Sequence, residues 1–286
     1  MTLHRMVLCI CVLLASSAAG QAITPQPAVG NITAKEIVAK MTENNRIRRE
    51  QLKSYVGQRE YHLLYTGFPG RREAGLVVEA RYRAPDSKEF TVISQSGSQW
   101  MVNKVLKKLL ETEKEAADPK SQASTALTEE NYKFELLGKE DVGERPAYIL
   151  QVEPKTASKL LYRGKIWVDA TDFAVSQIEA EPAKRPSIWI SKTLVHHTYQ
   201  KIGEFWLPAQ NESTTDVRMG GHATLSIHYT DYRLVANTGP PASERHPADS
   251  ALGPAEGFWV NLEMSEGSGR EQQLSVRHKY SFVVPQ

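Results

Sequence analysis

From Gly57 onward the chain returns again and again to a period of two, and that rhythm constrains the fold more than any other feature. Glu73–Ala84 is the cleanest case. Leu76, Val78, Ala80 and Tyr82 fall on one face, and Val77, Glu79, Arg81 and Arg83 fall on the other. Successive side chains of a strand point to opposite faces, so the pattern predicts a strand with one face buried. Arg59–Thr66 and Glu89–Ser94 flank it, with turns at Phe68-Pro69-Gly70 and Ala84-Pro85-Asp86. Links this short cannot hold a crossover, so these neighbours are expected to be antiparallel.

Seven more segments of strand character follow Asn131: Tyr132–Leu137, Ala147–Val152, Leu160–Asp169, Phe173–Glu181, Ser187–Gln200, Glu204–Val217 and Ala223–Leu234. Turn signals at Gly138, Gly143, Pro154, Ala170-Thr171, Pro182 to Pro186, Gly203 and Gly220-Gly221 separate them. About ten strands in one sheet require curvature, because a large twisted sheet curls. The expected fold class is α+β: a strongly curved antiparallel sheet, a half-open β-barrel, covered by two or so helices.

Two segments carry the helical period. Thr33 followed by Glu36 has the spacing of a capping box, in which each side chain satisfies an orphan amide of the first turn. Ile37, Val38, Met41, Ile47, Leu52 and Tyr55 then mark an apolar stripe. Its break at Asn44-Asn45 predicts a helix lying on a sheet edge. Arg46, Arg48, Arg49 and Glu50 read as a solvated face, or more sharply as a docking patch for an acidic lipid headgroup or partner. Trp100–Ala116 is the most amphipathic segment, with Val102, Val105, Leu106, Leu109 and Leu110 opposite Lys104, Lys107, Lys108, Glu111 and Lys114. It is expected to cover one face of the sheet, either as fixed packing or as a movable lid over an apolar cleft. Asp118–Thr128 is a polar connection.

The amino terminus differs in composition. His4 and Arg5 precede an apolar run from Met6 to Leu14 and the small-residue segment Ala15–Gly20, the order of a secretory signal peptide cleaved near Gly20. The run is about half the roughly 20 residues that span a bilayer. Both cysteines, Cys9 and Cys11, lie inside it, so a mature chain would have neither a disulfide nor a thiolate ligand. The formal net charge of +2 over 286 residues gives no electrostatic reason to expect nucleic acid.

Catalytic chemistry is thin. His196 and His197 are adjacent and on a strand point to opposite faces, so they cannot share a metal. His222 and His228 share a parity but meet His196 only if registers align. Asp169 and Asp172 read as turn residues, not as a paired acid and base. No Ser-His-Asp arrangement has a recognisable local context. Neither a cofactor, a metal site nor an enzyme activity is expected.

The string G-K-I-W-V-D of Gly164–Asp169, followed by F-A-V, I-E, R-P-S-I-W-I and Y-Q-K-I-G-E-F-W-L-P, resembles the exported LolA-like proteins, often labelled outer-membrane lipoprotein-sorting proteins. The resemblance runs from Thr33 to Tyr232. It implies a curved antiparallel sheet around a hydrophobic cleft that receives the acyl chains of lipids or lipoproteins, closed by helices. The residues agree: a curved sheet with apolar side chains on both parities needs an apolar partner on each side.

The chain therefore divides, as an expectation, into a signal peptide (1–20), a mobile leader (21–32), a half-barrel domain (33–236), a linker (237–257) with four prolines, and a carboxy-terminal hairpin (258–286) from Phe258–Met264 and Leu274–Val284. The expected function is a periplasmic carrier for lipid or lipoprotein acyl chains, working as a monomer with a membrane-associated donor or acceptor protein. Its alternative is a non-enzymatic sensor or interaction module that offers a sheet edge or the hairpin to a protein. The residues expected to line the cleft are Tyr61, Leu63, Leu76, Val78, Leu106, Leu110, Ile166, Val168 and Leu225.

Overall fold

A computed structural model describes residues 32–85, 87–115, 123–158, 160–185, 190–218, 220–236, 257–258, 263–265, 273–275 and 281–282. The expected signal segment, nearly all of the leader and nearly all of the linker lie outside these residues.

Ten strands form one antiparallel sheet: β1 (Leu52–Thr66), β2 (Arg72–Arg83), β3 (Ser87–Gly97), β4 (Tyr132–Val142), β5 (Arg145–Pro154), β6 (Tyr162–Asp169), β7 (Val175–Pro182), β8 (Ile190–Ile202), β9 (Phe205–Val217) and β10 (Gly221–Ala236). Their order is β3-β2-β1-β10-β9-β8-β7-β6-β5-β4. The sheet is open, with β3 and β4 at its two edges, and it forms the half-barrel that the alternation predicts. Short strands β11 (Gly257–Phe258) with β14 (Ser281–Phe282), and β12 (Glu263–Ser265) with β13 (Gln273–Ser275), pair only with each other.

Helix α1 (Ala34–Gln51) starts as the sequence requires. The Thr33 hydroxyl accepts from the Glu36 N–H at 3.2 Å, and the Glu36 carboxylate accepts from the Thr33 N–H at 2.8 Å. Its end differs from expectation. Leu52 and Tyr55 continue the apolar spacing but belong to β1, where a register irregularity between Leu52 and Ser54 lets both be buried. The basic cluster is also not a solvated face throughout. Arg46 is exposed and pairs with Glu43 and Glu50, whereas Arg48 is buried and donates to Asn45 and to the Asp172 carbonyl. Asn44 donates to that same carbonyl at 3.0 Å. The Asn44-Asn45 interruption is thus a polar seam that fastens α1 to the β6–β7 turn. Ile37, Val38 and Met41 form its buried apolar side.

The second helical region has three parts: α2 (Gln99–Met101), a π-helical turn (Val102–Leu106) and α3 (Lys107–Glu115). We call the whole the cap. The Ser98 hydroxyl accepts from the Met101 N–H at its start. Its buried positions are Met101, Val102, Val105, Leu106, Leu109, Leu110, Thr112 and Glu113, and within them Met101, Val105, Leu109 and Glu113 make a strict repeat of four. An α-helix has about 3.6 residues per turn, so such a repeat drifts by about 40° each turn. A π turn holds more residues per turn and takes up that drift, keeping the stripe on the sheet. The Lys107 N–H to Val102 carbonyl bond marks that wider turn.

Candidate functional site

The strand registers define an inner face that runs across the sheet. Leu76 pairs with Tyr61, Tyr61 with Ile227, Ile227 with Asn211 and Asn211 with His197. His197 pairs with Ile178, Ile178 with Ile166 and Ile166 with Leu150. Directly paired residues share a face, so this row crosses eight strands on one side.

The row has three zones. On β1, β2 and β10 it is apolar, and the cap packs on it in one cluster. Seven of the nine expected lining residues meet there: Tyr61, Leu63, Leu76, Val78, Leu106, Leu110 and Leu225. Leu110, the most exposed of the seven, has only 6% of its surface accessible. The cap side chains fill the space that a cleft would offer. Ile166 and Val168 are fully buried on β6, five strands from β1 in sheet order, so they sit at the far half of the same sheet. That far half is apolar again, with Leu150, Val152, Ile166 and Ile178 buried.

Between the halves lies a polar belt that sequence reasoning missed. Thr193, His197, Asn211, Ser213 and Thr215 are all buried on the inner face of β8 and β9. The Thr193 and Thr215 hydroxyls lie 3.2 Å apart. Burial, with the neighbouring His196 adding to it, lowers the His197 pKa to about 3, while the Asn211 side chain works in the opposite direction. His197 is therefore neutral at neutral pH. The signal was present in Asn211, Ser213 and Thr215, which alternate at the inner parity.

A buried charge cluster also escaped the sequence reading. Arg59 of β1 and Lys88 of β3 converge on Glu113 of the cap. The Arg59 guanidinium lies 2.7 Å from both carboxylate oxygens, and the Lys88 ammonium lies 3.3 Å from one. All three side chains are 8% exposed or less. Arg59 also lies over the Phe90 and Tyr229 rings at 5.1 Å from each centroid, where ring faces favour a cation. Burial alone would push the Glu113 carboxyl up, but Arg59 and Lys88 outweigh it and hold the carboxyl below its usual range. Burial lowers Lys88 to about 8, against the pull of Glu113. Three parities made the cluster legible. Arg59 is in step with Tyr61, Lys88 with Phe90, and Glu113 with Leu109.

Asp169 and Asp172 are turn residues, as their spacing suggests. Asp169 accepts from the Thr171 and Asp172 N–H groups and from Arg145. Burial raises its pKa, and the Arg145 bond and those amides more than reverse it. The Asp172 carboxylate accepts from Arg145, Lys201 and Trp206 at 2.9–3.0 Å. Among the described residues no group of three or more His, Cys, Asp or Glu side chains could hold a metal ion. His196 and His197 face opposite sides, one exposed and one buried. The opposite sheet face carries a groove of about 520 Å³ lined in part by Lys165, Glu179, His196 and Glu212, with Leu194 beside them.

A family model described as an uncharacterized protein matches residues 118–237. No curated protein matches. A putative outer membrane lipoprotein-sorting protein domain from Vibrio parahaemolyticus is 11% identical, covering 73% of this chain and 96% of its own, with a TM-score of 0.36. The chain is similar to LolA-superfamily proteins. One of these, from Nitrosomonas europaea, is 14% identical over 71% of this chain and 94% of its own, with a TM-score of 0.30. A DUF1329 family protein from Desulfovibrio piger is 13% identical over 71% and 95%, with a TM-score of 0.34.

Proposed function

We propose that this protein is a carrier that holds the acyl chain of a lipid or lipoprotein between the inner sheet face and the cap. One observation carries the reading. Much of the apolar inner face of β1, β2 and β10 packs in one cluster with a single helical segment that contributes side chains to it. Burial of apolar surface is non-directional, so an acyl chain can replace those side chains. Each buried CH₂ contributes about 0.8 kcal/mol, so a chain of a dozen or more carbons matches the loss of several cap leucines. The site so proposed comprises Tyr61, Leu63, Leu76, Val78 and Leu225 on the sheet, and Leu106 and Leu110 on the cap. Ile166 and Val168 would line its extension along the far half. Residues 33–236 would form the carrier domain. In this reading the chain is exported, cut near Gly20, and works in the periplasm without catalysing a reaction.

Native mass spectrometry of gently purified protein, with lipid extraction, tests it. An acyl lipid or acylated protein at near one-to-one supports the carrier reading. A protein that emerges empty and ignores added phospholipid sinks it.

A second reading has its own observation. Edge strand β3 leaves Val92 and Ile93 exposed at its register irregularity, with one rim of its backbone unpaired by the sheet. Such an edge is a template for an added strand from a protein partner. Ile93→Lys would then abolish partner capture and leave lipid binding intact.

A further inference from the structure

The charge cluster under the cap is out of place if the site takes only hydrocarbon. Removing two cations and a carboxylate from water costs more than a hydrophobic replacement of the same volume. The arrangement is also divided between parts. Both cations belong to the sheet, on β1 and β3, and the one carboxylate they share belongs to the cap. Any displacement of the cap that opens the apolar face also withdraws Glu113 from Arg59 and Lys88. Two partly desolvated cations would then face the space that the acyl chain enters, beside Phe90 and Tyr229.

We propose that Arg59 and Lys88 form a head-group site for an anionic amphiphile, an acyl chain ending in a carboxylate or phosphate, and that Glu113 occupies this site when the cap is closed. The inference rests on the carrier reading above and narrows its ligand class. The Glu113 carboxylate stands in for the ligand's own head. Its contact with Arg59 is the geometry a fatty-acid carboxylate or a phosphate oxygen pair would reproduce, since a guanidinium presents its donors as a fork. The neighbouring Leu76, Val78 and Leu110 accept the first carbons of the tail. A neutral head would leave both cations without the anion that the closed form supplies, and so would bind less tightly than an anionic one.

The test compares palmitate, palmityl phosphate, palmityl alcohol and inorganic phosphate on the full chain by isothermal titration. Expected are binding of palmitate and palmityl phosphate at least about tenfold tighter than palmityl alcohol, the equivalent of one charge-assisted contact. Lys88→Met should reduce that preference, because Arg59 then acts alone. Glu113→Gln should tighten palmitate by about tenfold, because the closed form loses its anion. The wild-type comparison needs no variant, so a poorly folded substitution does not remove the test. Equal affinity for palmitate and palmityl alcohol overturns this inference and leaves the carrier reading standing. A preference unchanged in both variants overturns it too, by placing the head elsewhere. Inorganic phosphate binding as tightly as palmityl phosphate would assign the cations to a free anion and not to a lipid. Failure of all three amphiphiles to bind would bring down the carrier reading itself.

Discussion

Gly164 shows how far one missing Cβ can matter. It lies in the middle of β6 with φ at 153°, and a Cβ there would come within 2.2 Å of the Glu179 carbonyl oxygen. That oxygen belongs to a backbone already paired in the sheet, so it cannot yield cheaply. Gly164→Ala is expected to lower stability by about 2–3 kcal/mol, seen as a shift in the urea midpoint at unchanged slope. His197 supports a prediction of a different kind. Its folded pKa of about 3 lies below the value of about 6.5 in an unfolded chain. The unfolded state therefore binds the proton first, and stability present above pH 6.5 is lost as pH falls towards 3. At pH 5 the loss amounts to about 2 kcal/mol. His197→Asn should flatten the decline between pH 6.5 and 4 in thermal melts. An undiminished slope would mean that this imidazole is not the group responsible.

At the level of elements, the cap depends on its π turn. Adding one residue between Lys107 and Lys108, after that turn, would exceed what the one wide turn takes up and rotate everything after it by about 100°. Leu109, Leu110 and Glu113 would leave the sheet together. The expected result is a lower melting temperature and a rise in binding of a hydrophobic dye, the sign of an uncovered inner face. The pattern behind this was half visible in the sequence. The apolar stripe of Val102, Val105, Leu106, Leu109 and Leu110 reads directly as a covering helix. The four-residue repeat that demands a wider turn is evident only when Glu113 is counted as an inner residue. Charged residues are assigned outward by default, because the partners that justify burying them, Arg59 and Lys88, are distant in the chain. The same default misplaced Arg48, whose acceptors are Asn45 and a turn more than a hundred residues away. Leu52 and Tyr55 were misassigned for the reverse reason, since short-range spacing could not distinguish a helix end from a strand start.

For the whole molecule, strand number and antiparallel order followed from alternation and short turns, because both are local properties. The pairing of β1 with β10 is not local. β1 is held between β2 and β10, and β10 arrives only after the seven strands β3 to β9 have been made. Such distant pairing is slow to form. Truncation after Val217 would leave β1 and β9 each with a bare edge, and this chain is expected to aggregate on expression. Truncation after Ala236 removes strands that pair only among themselves. That shorter chain is expected to keep a melting temperature within a few degrees of the parent, as read by circular dichroism. A collapse of its stability would show that residues 237–286 support the half-barrel.

The cap lies on the path from β3 at one sheet edge to β4 at the other. A cover tied at both ends never diffuses away. It faces its own sheet at a fixed effective concentration, in the millimolar range or above for short tethers. An acyl chain bound as proposed would therefore compete with an occupant that is always present, and its observed dissociation constant would exceed the intrinsic one by the closing equilibrium of the cap. Such competition weakens capture and speeds discharge. The proposed carrier, built this way, would be suited to passing its cargo on.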